Sequence, residues 1–400
     1  MTPDRQPYHE GGFTLVEILV ATAITVTLTA AVLALLTPAD TIFKVQPEVS
    51  DMLQRVRAST DALTADLLMT GAGIDSGPAT GPLIDFVAPV LPYRTGELAD
   101  DPSAGVRFRP DALTLLYASS QSAQTTLRSS LTVDSRQLTV NQQPNCPAAT
   151  PRRVCGFEDG ARILLLDPSG IYDLMTATDV QNPAIGVQYA GSLSGAYAVG
   201  TQVVQVETRT YYLKNTTTGG SQLMIYDGYR SDLPFVDNVV SLEFRYFGDP
   251  QPPMVLPGQN ADDDARVITT YGPSPPPLDV NNENDTWAAG ENCVFAVQDG
   301  QHVPRLPVLS VSNGPVLLSS SMLLDGPWCP DETRVNRFDA DLLRVRRVSV
   351  TLRVQAAAAS LRGPAGALFR RAGTASSAAR YVPDLEVHFD VAPRNLNLER

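Results

Sequence analysis

The sequence predicts an α+β protein in which a long N-terminal helix is followed by a mainly antiparallel β head. Two observations lead to this prediction. Residues 13–36 form an apolar run of helical length, whereas beyond residue 74 short runs of β-branched and aromatic residues alternate with Gly, Pro, Asn and Asp clusters. With 28 Gly and 32 Pro among its 400 residues, the head should contain short strands and turns instead of further long helices.

The composition is that of a folded protein and argues against nucleic-acid binding. Hydrophobic residues make up 43% of the chain, enough for a sizeable core, and the formal net charge is −13. All but two of the 30 basic residues are arginines, the exceptions being Lys44 and Lys214, and the sequence shows no basic face. We therefore expect no nucleic-acid partner.

The apolar run is FTLVEILVATAITVTLTAAVLALL, and Glu17 is its one charged residue. An apolar helix of about 20 residues can cross a bilayer, so this one is long enough to span a membrane. A secretory signal would place small residues after its apolar core, whereas here Gly11 and Gly12 precede it. A carboxylate costs roughly 2.5–3.5 kcal/mol at the centre of a membrane helix and less near its end, so Glu17 needs a partner.

A cut between Gly12 and Phe13 would provide that partner. The new α-amino group of Phe13 is a cation near neutral pH and lies at the membrane depth of Glu17. In an assembly of staggered helices, Glu17 of one subunit can pair with the Phe13 amine of its neighbour, which fixes register more than it adds stability. The alternative is an ordinary single-span anchor with a chance Gly-Gly.

The residues GG-FTLVE resemble the type IV prepilin signature, with Gly12 before the cut, Phe13 after it and Glu17 as the fifth mature residue. The resemblance implies that residues 1–12 are a leader removed by a prepilin peptidase, that Phe13 is methylated, and that the helices pack into a filament core. It also implies a bacterial inner-membrane protein with a periplasmic, extracytoplasmic head that later enters a pilus or pseudopilus. The leader MTPDRQPYHEGG departs from the family because it carries little positive charge.

The later part of the chain carries a second, more diffuse resemblance. The runs YYLKN, QLMIYDGY, VVSLEFRYFG, RRVSVTLRVQA and EVHFDVAPRNL, in this order, resemble the PilW-type minor pilins and, more distantly, the J-type pseudopilins of type II secretion. The length of the chain favours the minor pilin. The resemblance implies a structural subunit that primes or joins a type IV pilus with other pilins or minor pilins. The alternatives are a type II secretion pseudopilin and a membrane-tethered adhesin or binding protein for cell adhesion.

Residues 37–73 should continue the helix beyond the membrane, with a kink or a break at Pro38 and Pro47. With Ser50 as its N-cap, the second half is amphipathic and should lie on the head, and Gly71 should help to end it.

Residues 74–400 should form the head, with an irregular Pro-rich insertion at about 248–307 and a short helix at 338–343. A hairpin turn is expected at NTTTGG. The predicted strands are 106–109, 113–118, 131–140, 162–166, 201–213, 222–226, 236–247, 345–354 and 384–391.

All four cysteines follow the membrane helix, so the predicted topology places them outside the cytoplasm, where disulfides form. Three pairings are possible, and sequence-local pairing joins Cys146 to Cys155 and Cys293 to Cys329. A zinc site is the alternative, but the sequence has no C-x-x-C and its histidines lack ligand spacing.

The sequence predicts neither an enzyme nor a resident cofactor. After processing, only His302 and His388 could act as histidine bases, and the nucleophile and metalloprotease motifs are missing. Three consecutive carboxylates, Asp262, Asp263 and Asp264, are weak calcium candidates without the spacing of an EF-hand. A solvated acidic turn is the favoured interpretation of this run.

Overall fold

The computed structural model describes residues 12–73, 81–95, 108–119, 121–142, 154, 156–167, 171–189, 191–216, 220–228, 231–256, 268–269, 271–273, 275–276, 278, 290–334 and 336–397. The chain divides into two compact units. The helix unit comprises Met1–Leu53 with Ala356–Pro383, and the head unit comprises Gln54–Gln355 with Asp384–Arg400. As predicted, the fold is α+β, with one long N-terminal helix and a head of antiparallel sheets.

Helix α1 extends over Leu15–Met69 without interruption. Of the predicted kink or break at Pro38 and Pro47, the break is wrong, as is the N-cap at Ser50, which lies inside the helix. Each proline removes one N–H donor and crowds the carbonyl one turn back, but the hydrogen bonds of the neighbouring turns can carry a long helix past it. The predicted end is confirmed, because the helix stops at Met69 and Gly71 adopts φ 77°.

In the described residues, the chain after α1 contains twenty strands and five short 3₁₀ helices. The strands are β1 Val90–Leu91, β2 Ala112–Tyr117, β3 Gln124–Thr126, β4 Gln137–Thr139, β5 Arg162–Leu166, β6 Tyr172–Gln181, β7 Ala184–Gln188, β8 Gln202–Asn215, β9 Ser221–Tyr226, β10 Asp232–Asp237, β11 Val239–Gly248, β12 Val255–Leu256, β13 Ile268–Thr269, β14 Phe295–Gln298, β15 Gln301–Pro304, β16 Val316–Leu318, β17 Trp328–Cys329, β18 Phe338–Asp339, β19 Val345–Val354 and β20 Leu385–Val391. The 3₁₀ helices are Leu83–Asp85, Ala340–Arg344, Ala359–Leu361, Ala378–Arg380 and Arg394–Leu396.

Strand β8 organises the larger, ten-stranded sheet, in which the main order is β1-β2-β8-β5-β6-β7-β4. Its first half pairs with β3 and β5, and its second half pairs with β2 and β9. The hairpin predicted around NTTTGG is confirmed by the antiparallel pairing of β8 with β9, which ends at Asn215 opposite Ser221. The smaller sheet has the order β16-β11-β19-β20.

The predicted strand 236–247 is two strands, because the chain turns at Asn238. This residue has φ 61°, a left-handed conformation that asparagine tolerates better than most residues. Strand β10 before it belongs to the ten-stranded sheet, and β11 after it belongs to the four-stranded sheet. One continuous apolar run therefore supplies strands to both sheets.

Three other local predictions need correction. The insertion at 248–307 is not wholly irregular, since β14 and β15 form a hairpin whose two-residue turn, Asp299-Gly300, has φ 52° and 71°. This is the Asp-Gly hairpin signal, which was readable in VQDGQHV. The predicted helix at 338–343 is instead strand β18 followed by the 3₁₀ turn Ala340–Arg344. Strands β6 and β7 were not predicted, and within the predicted strand 131–140 only β4, Gln137–Thr139, forms a named strand.

The part of α1 in the head unit is held by both apolar and polar contacts. Val56, Leu63 and Leu67 are buried, as their helical spacing predicts. Asp66 accepts hydrogen bonds from the hydroxyl of Tyr211 at 2.6 Å and from that of Tyr117 at 3.3 Å. Burial, reinforced by the charge of Asp66, raises the pKa of Tyr211, so this hydroxyl remains a proton donor. The C-terminal end of the helix is thus fixed to β2 and β8.

Candidate functional site

The segment around the predicted cleavage point forms a capped helix start. Gly12–Thr14 precede the helix, which begins at Leu15. The backbone N–H and the hydroxyl of Thr14 both donate to Oε2 of Glu17 at 2.9 Å, and the N–H of Glu17 donates to the Thr14 hydroxyl at 3.3 Å. This reciprocal pattern is a capping box. It was not predicted, although Thr-x-x-Glu ahead of an apolar run is its sequence signature.

The capping box gives Glu17 a local role that the sequence prediction missed. Its carboxylate satisfies otherwise unpaired donors in the first turn and lies at the positive end of the helix dipole. Both donors go to Oε2, and within the described part of the chain Oε1 accepts no hydrogen bond. One oxygen therefore anchors the helix start, while the other is able to accept from an incoming cation.

The apolar part of the helix has no cover within the described residues. Every residue from Gly12 to Leu33 is exposed, and Phe13 is 84% exposed. The segment Leu15–Leu33 is long and apolar enough to cross a membrane, by length and composition alone, with a mean hydropathy of 2.1. Exposed apolar surface of this extent calls for a bilayer or for other helices.

The threonines in the segment Leu15–Leu33 are compatible with a bilayer or with a bundle of helices. Their hydroxyls donate to carbonyl oxygens one turn back in the same helix, as in Thr22 to Ile18 at 2.9 Å and Thr29 to Thr25 at 2.7 Å. Polar groups in hydrocarbon must be satisfied internally. The hydroxyls therefore add little to the cost of burying this helix in lipid or in a helical bundle.

One predicted disulfide is confirmed. Cys293 and Cys329 are bonded, with a Cα–Cα distance of 5.1 Å, and both residues are buried. The bond ties the loop before β14 to β17. The other candidates, Cys146 and Cys155, lie outside the described residues, as do the calcium candidates Asp262, Asp263 and Asp264.

One cluster of possible metal ligands occurs in the described ranges, and it was not predicted. Asp325, Asp339 and Asp341 place one oxygen each within 4.8 Å of one another. Asp339 already accepts from the backbone N–H of Gly326 at 2.7 Å and from that of Asp341 at 2.9 Å. Asp341 forms an ion pair of 2.8 Å with the fully buried Arg344. Because the carboxylates of Asp339 and Asp341 already have protein partners, we interpret the cluster as structural.

The carboxylates in this cluster make stability depend on pH. Burial, together with neighbouring negative charges that include Asp325, raises the pKa of Asp339 to about 7 and that of Asp341 to about 6. In an unfolded chain both would titrate near pH 3.9, so the folded state holds extra protons between these values. Their stabilising contribution is complete below about pH 4 and is lost as the pH rises through 6 and 7.

Replacing the exposed Asp325 with asparagine should therefore raise the free energy of unfolding at about pH 8 by about 1 kcal/mol, and by less at about pH 5. The reason is that the substitution removes a charge that repels Asp339 and Asp341 when they are ionised. Urea unfolding followed by tryptophan fluorescence measures the difference. Asp61→Asn, at an exposed position on α1, is the matched control and should show no such pH dependence. An Asp325→Asn variant less stable than the parent at about pH 8 would contradict the repulsion.

His302 and His388 lie in strands, as expected for His388. Its ring nitrogens are 3.3 Å from the Ser349 hydroxyl and 3.1 Å from that of Thr351, and Asp390 is 3.7 Å away. The His388 side chain is 61% exposed on the polar face of the four-stranded sheet. His302 lies in β15. Solvated cross-strand pairs of this kind are ordinary features of an exposed sheet face.

Comparison with protein-family models, with curated proteins and with solved structures found no match for this chain.

Proposed function

We propose that this chain is a type IV pilin-like subunit of the minor pilin class, which is cleaved between Gly12 and Phe13 and joins or primes a filament through α1. The observation that carries the proposal is the start of this helix. An apolar, fully exposed span begins with a carboxylate, Glu17, whose Oε2 caps the helix and whose Oε1 accepts no hydrogen bond within the described chain. Cleavage would create the amine that such an oxygen needs when subunits pack side by side.

The β head fits the role of a structural subunit. Its two larger sheets are antiparallel, the Cys293–Cys329 bond joins two of its buried positions, and Asp66 near the end of α1 accepts a hydrogen bond from Tyr211 of the larger sheet. The proposed partners are a prepilin peptidase, the inner membrane and other pilins.

The cleavage can be tested by expressing the chain with and without a prepilin peptidase and sequencing its N-terminus. We expect a mature chain that begins at Phe13 only when the peptidase is present. Replacing Gly12 with valine should block the cut, because the peptidase would then have to accommodate a side chain at a position where the parent protein has only a hydrogen atom. A Cβ at Gly12 meets nothing within 4 Å, so the substitution leaves the protein itself undisturbed.

The matched variant is Gly12→Ala, which adds the smallest side chain and should be cut more than the valine variant. An established prepilin serves as the control for peptidase activity. The proposal is contradicted if the wild-type product still begins at Met1 or Thr2 while the established prepilin is cut.

Deleting the gene distinguishes a minor pilin from the two alternatives, a secretion pseudopilin and a membrane-tethered adhesin. A minor pilin should be needed for normal numbers of surface pili. A secretion pseudopilin should instead be needed for export of folded proteins, with pilus numbers unchanged. Loss of attachment with both pili and secretion intact would favour the membrane-tethered adhesin.

A further inference from the structure

The connection between β19 and β20 is far longer than the fold requires. Val354 and Leu385 lie opposite each other on these antiparallel strands, so a hairpin turn of about two to five residues would join them. The chain inserts Ala356–Pro383 instead, a segment that we call the arginine loop. Long loops that the scaffold does not need commonly carry function.

The arginine loop has a defined internal structure. The N–H of Gly373 donates to the carbonyl of Gly363 at 2.8 Å, and the rings of Phe369 and Tyr381 meet edge to face at 5.3 Å. Gly373 is closely packed, because a Cβ there would lie 2.2 Å from the carbonyl oxygen of Arg362. The loop therefore presents a preformed surface, which lowers the entropic cost of binding.

The charge of the loop is opposite to that of the protein. It contains four arginines and no acidic residue, whereas the whole chain has a formal net charge of −13. Arg370 and Arg380 are exposed, and Arg371 is half-buried. A patch of this sign attracts an anionic partner.

The loop also exposes apolar surface. Every residue of the stretch 364–368 is exposed, and Leu368, which ends it, is 56% exposed. Apolar side chains next to arginines are typical of surfaces that contact the boundary between lipid headgroups and acyl chains. If the partner were a soluble acidic protein, the arginines would be sufficient to attract it, and the exposed Leu368 would not be needed.

The arginine loop belongs to the same compact unit as the apolar helix. The N–H of Ala357 donates to Oε1 of Glu48 at 2.6 Å, and a groove of about 420 Å³ between helix and loop is lined on the helix side by Lys44, Pro47, Glu48 and Asp51. The base of the loop thus packs against the helix just beyond its membrane-spanning part.

The height of this contact is suitable for reaching lipid headgroups. The apolar run ends at Leu36, and the eight residues to Lys44 rise about 12 Å along a helix. A headgroup layer adds about 5–7 Å to each side of the hydrocarbon core. The base of the loop would then lie about 5–7 Å outside the headgroups, and a tilt of the helix would bring it closer.

We propose that the arginine loop is a docking surface for anionic phospholipid headgroups next to the Leu36 end of the membrane helix. The proposal rests on the membrane insertion of α1 that the proposed function includes, but it does not depend on cleavage or on filament assembly. Arg370, Arg371 and Arg380 bind headgroup phosphates, and Leu368 lies among the headgroups. Docking holds the subunit in the membrane in one orientation.

The test uses the full-length protein in lipid nanodiscs, with Leu368→Trp as the probe and lipids brominated near the headgroup as quenchers. The emission of the parent protein in the same discs is subtracted, because Trp287 and Trp328 also fluoresce. One set of discs contains phosphatidylcholine alone, and the other also contains phosphatidylglycerol. We expect at least roughly twofold stronger quenching in the anionic discs, declining as salt is added. Replacing Arg370, Arg371 and Arg380 together with glutamine should remove the difference between the lipids.

Two matched controls accompany the probe. Leu53→Trp, at an exposed position of α1 that lies 17 residues and therefore about 25 Å beyond Leu36, should not be quenched in either lipid. Arg245→Gln, which removes an exposed head arginine, should leave the Leu368→Trp signal unchanged.

Quenching of Leu368→Trp that is equal in both lipids and indifferent to the three arginines overturns the proposal. A signal that depends on the number of protein copies per disc, and not on lipid charge, assigns the surface to a second copy of this chain and overturns lipid docking. Failure of the proposed function would give a different result from failure of lipid docking. If the proposed cleavage is wrong, the peptidase-treated chain keeps its original N-terminus. Retention of the uncleaved protein in discs tests only whether α1 inserts into the membrane.

Discussion

The Glu17→Gln variant is expected to enter assembled filaments at least about tenfold less than the parent, which corresponds to about 1.4 kcal/mol of lost pairing. The substitution removes the charge that would pair with the Phe13 amine of a neighbouring subunit and leaves that amine unpaired in a desolvated core. Glutamine keeps an oxygen for the capping box, so the helix start is preserved. The measurement compares the amount of subunit in sheared filaments with the amount in the membrane fraction.

Thr14 provides the matched control for this prediction. Thr14→Val removes the hydroxyl that exchanges hydrogen bonds with Glu17 but retains the carboxylate, and it should cost about 1 kcal/mol of helix stability. Thr14→Ser keeps the hydroxyl and should behave as the parent. If Thr14→Val reduces incorporation as strongly as Glu17→Gln does, then Glu17 acts mainly as a cap, and the inter-subunit pairing is not needed.

Removing the Cys293–Cys329 bond should lower the free energy of unfolding of the head by about 3–4 kcal/mol on the chain-entropy model. The bond closes a loop with a sequence separation of 36 residues and joins two buried positions, so its loss frees the unfolded chain more than the folded one. The double variant Cys293→Ser with Cys329→Ser avoids leaving a single thiol. Urea unfolding followed by tryptophan fluorescence, to which Trp328 beside Cys329 contributes, gives the midpoint and the slope.

A reductant supplies the internal control. It should shift the parent toward the double variant and should shift the double variant less. Any shift that remains in the double variant measures the contribution of other disulfides, for which Cys146 and Cys155 are the predicted residues. An unchanged midpoint in the double variant at an unchanged slope would show that the bond contributes nothing to stability.

Local sequence was sufficient to predict those elements whose residue pattern does not depend on a distant partner. The apolar helix, its amphipathic end on the head, the hairpin of β8 and β9 and the strands β5, β19 and β20 were all predicted, because spacing along the chain directly determines which side chains share a face. Two further features were equally local but were not predicted. They are the capping box at Thr14 and the Asp-Gly turn of β14 and β15.

Other strands could not be recognised without their partners. Strand β6 reads YDLMTATDVQ, and its buried Asp173 makes it resemble a loop. The structure satisfies that carboxylate with the N–H and hydroxyl of Ser194 and the hydroxyl of Tyr197. Burial raises the pKa of Asp173, as expected for a carboxyl in a low-dielectric interior. These donors come from a segment that is distant in sequence, so the strand is stable only after the chain has folded.

The sequence by itself determined the class of this protein, namely a membrane-length helix with Glu17 five residues after the Gly12 position and a β-rich head behind it. Only the tertiary structure decided that Asp325 meets Asp339 and Asp341, that Arg94 lies over the rings of Tyr212 and Tyr226, and that the arginine loop packs with the helix. The physical reason is the distance along the chain over which each interaction acts. Helix and hairpin signals lie within a few residues, whereas charge clusters and docking surfaces depend on contacts between distant segments, which no local pattern specifies.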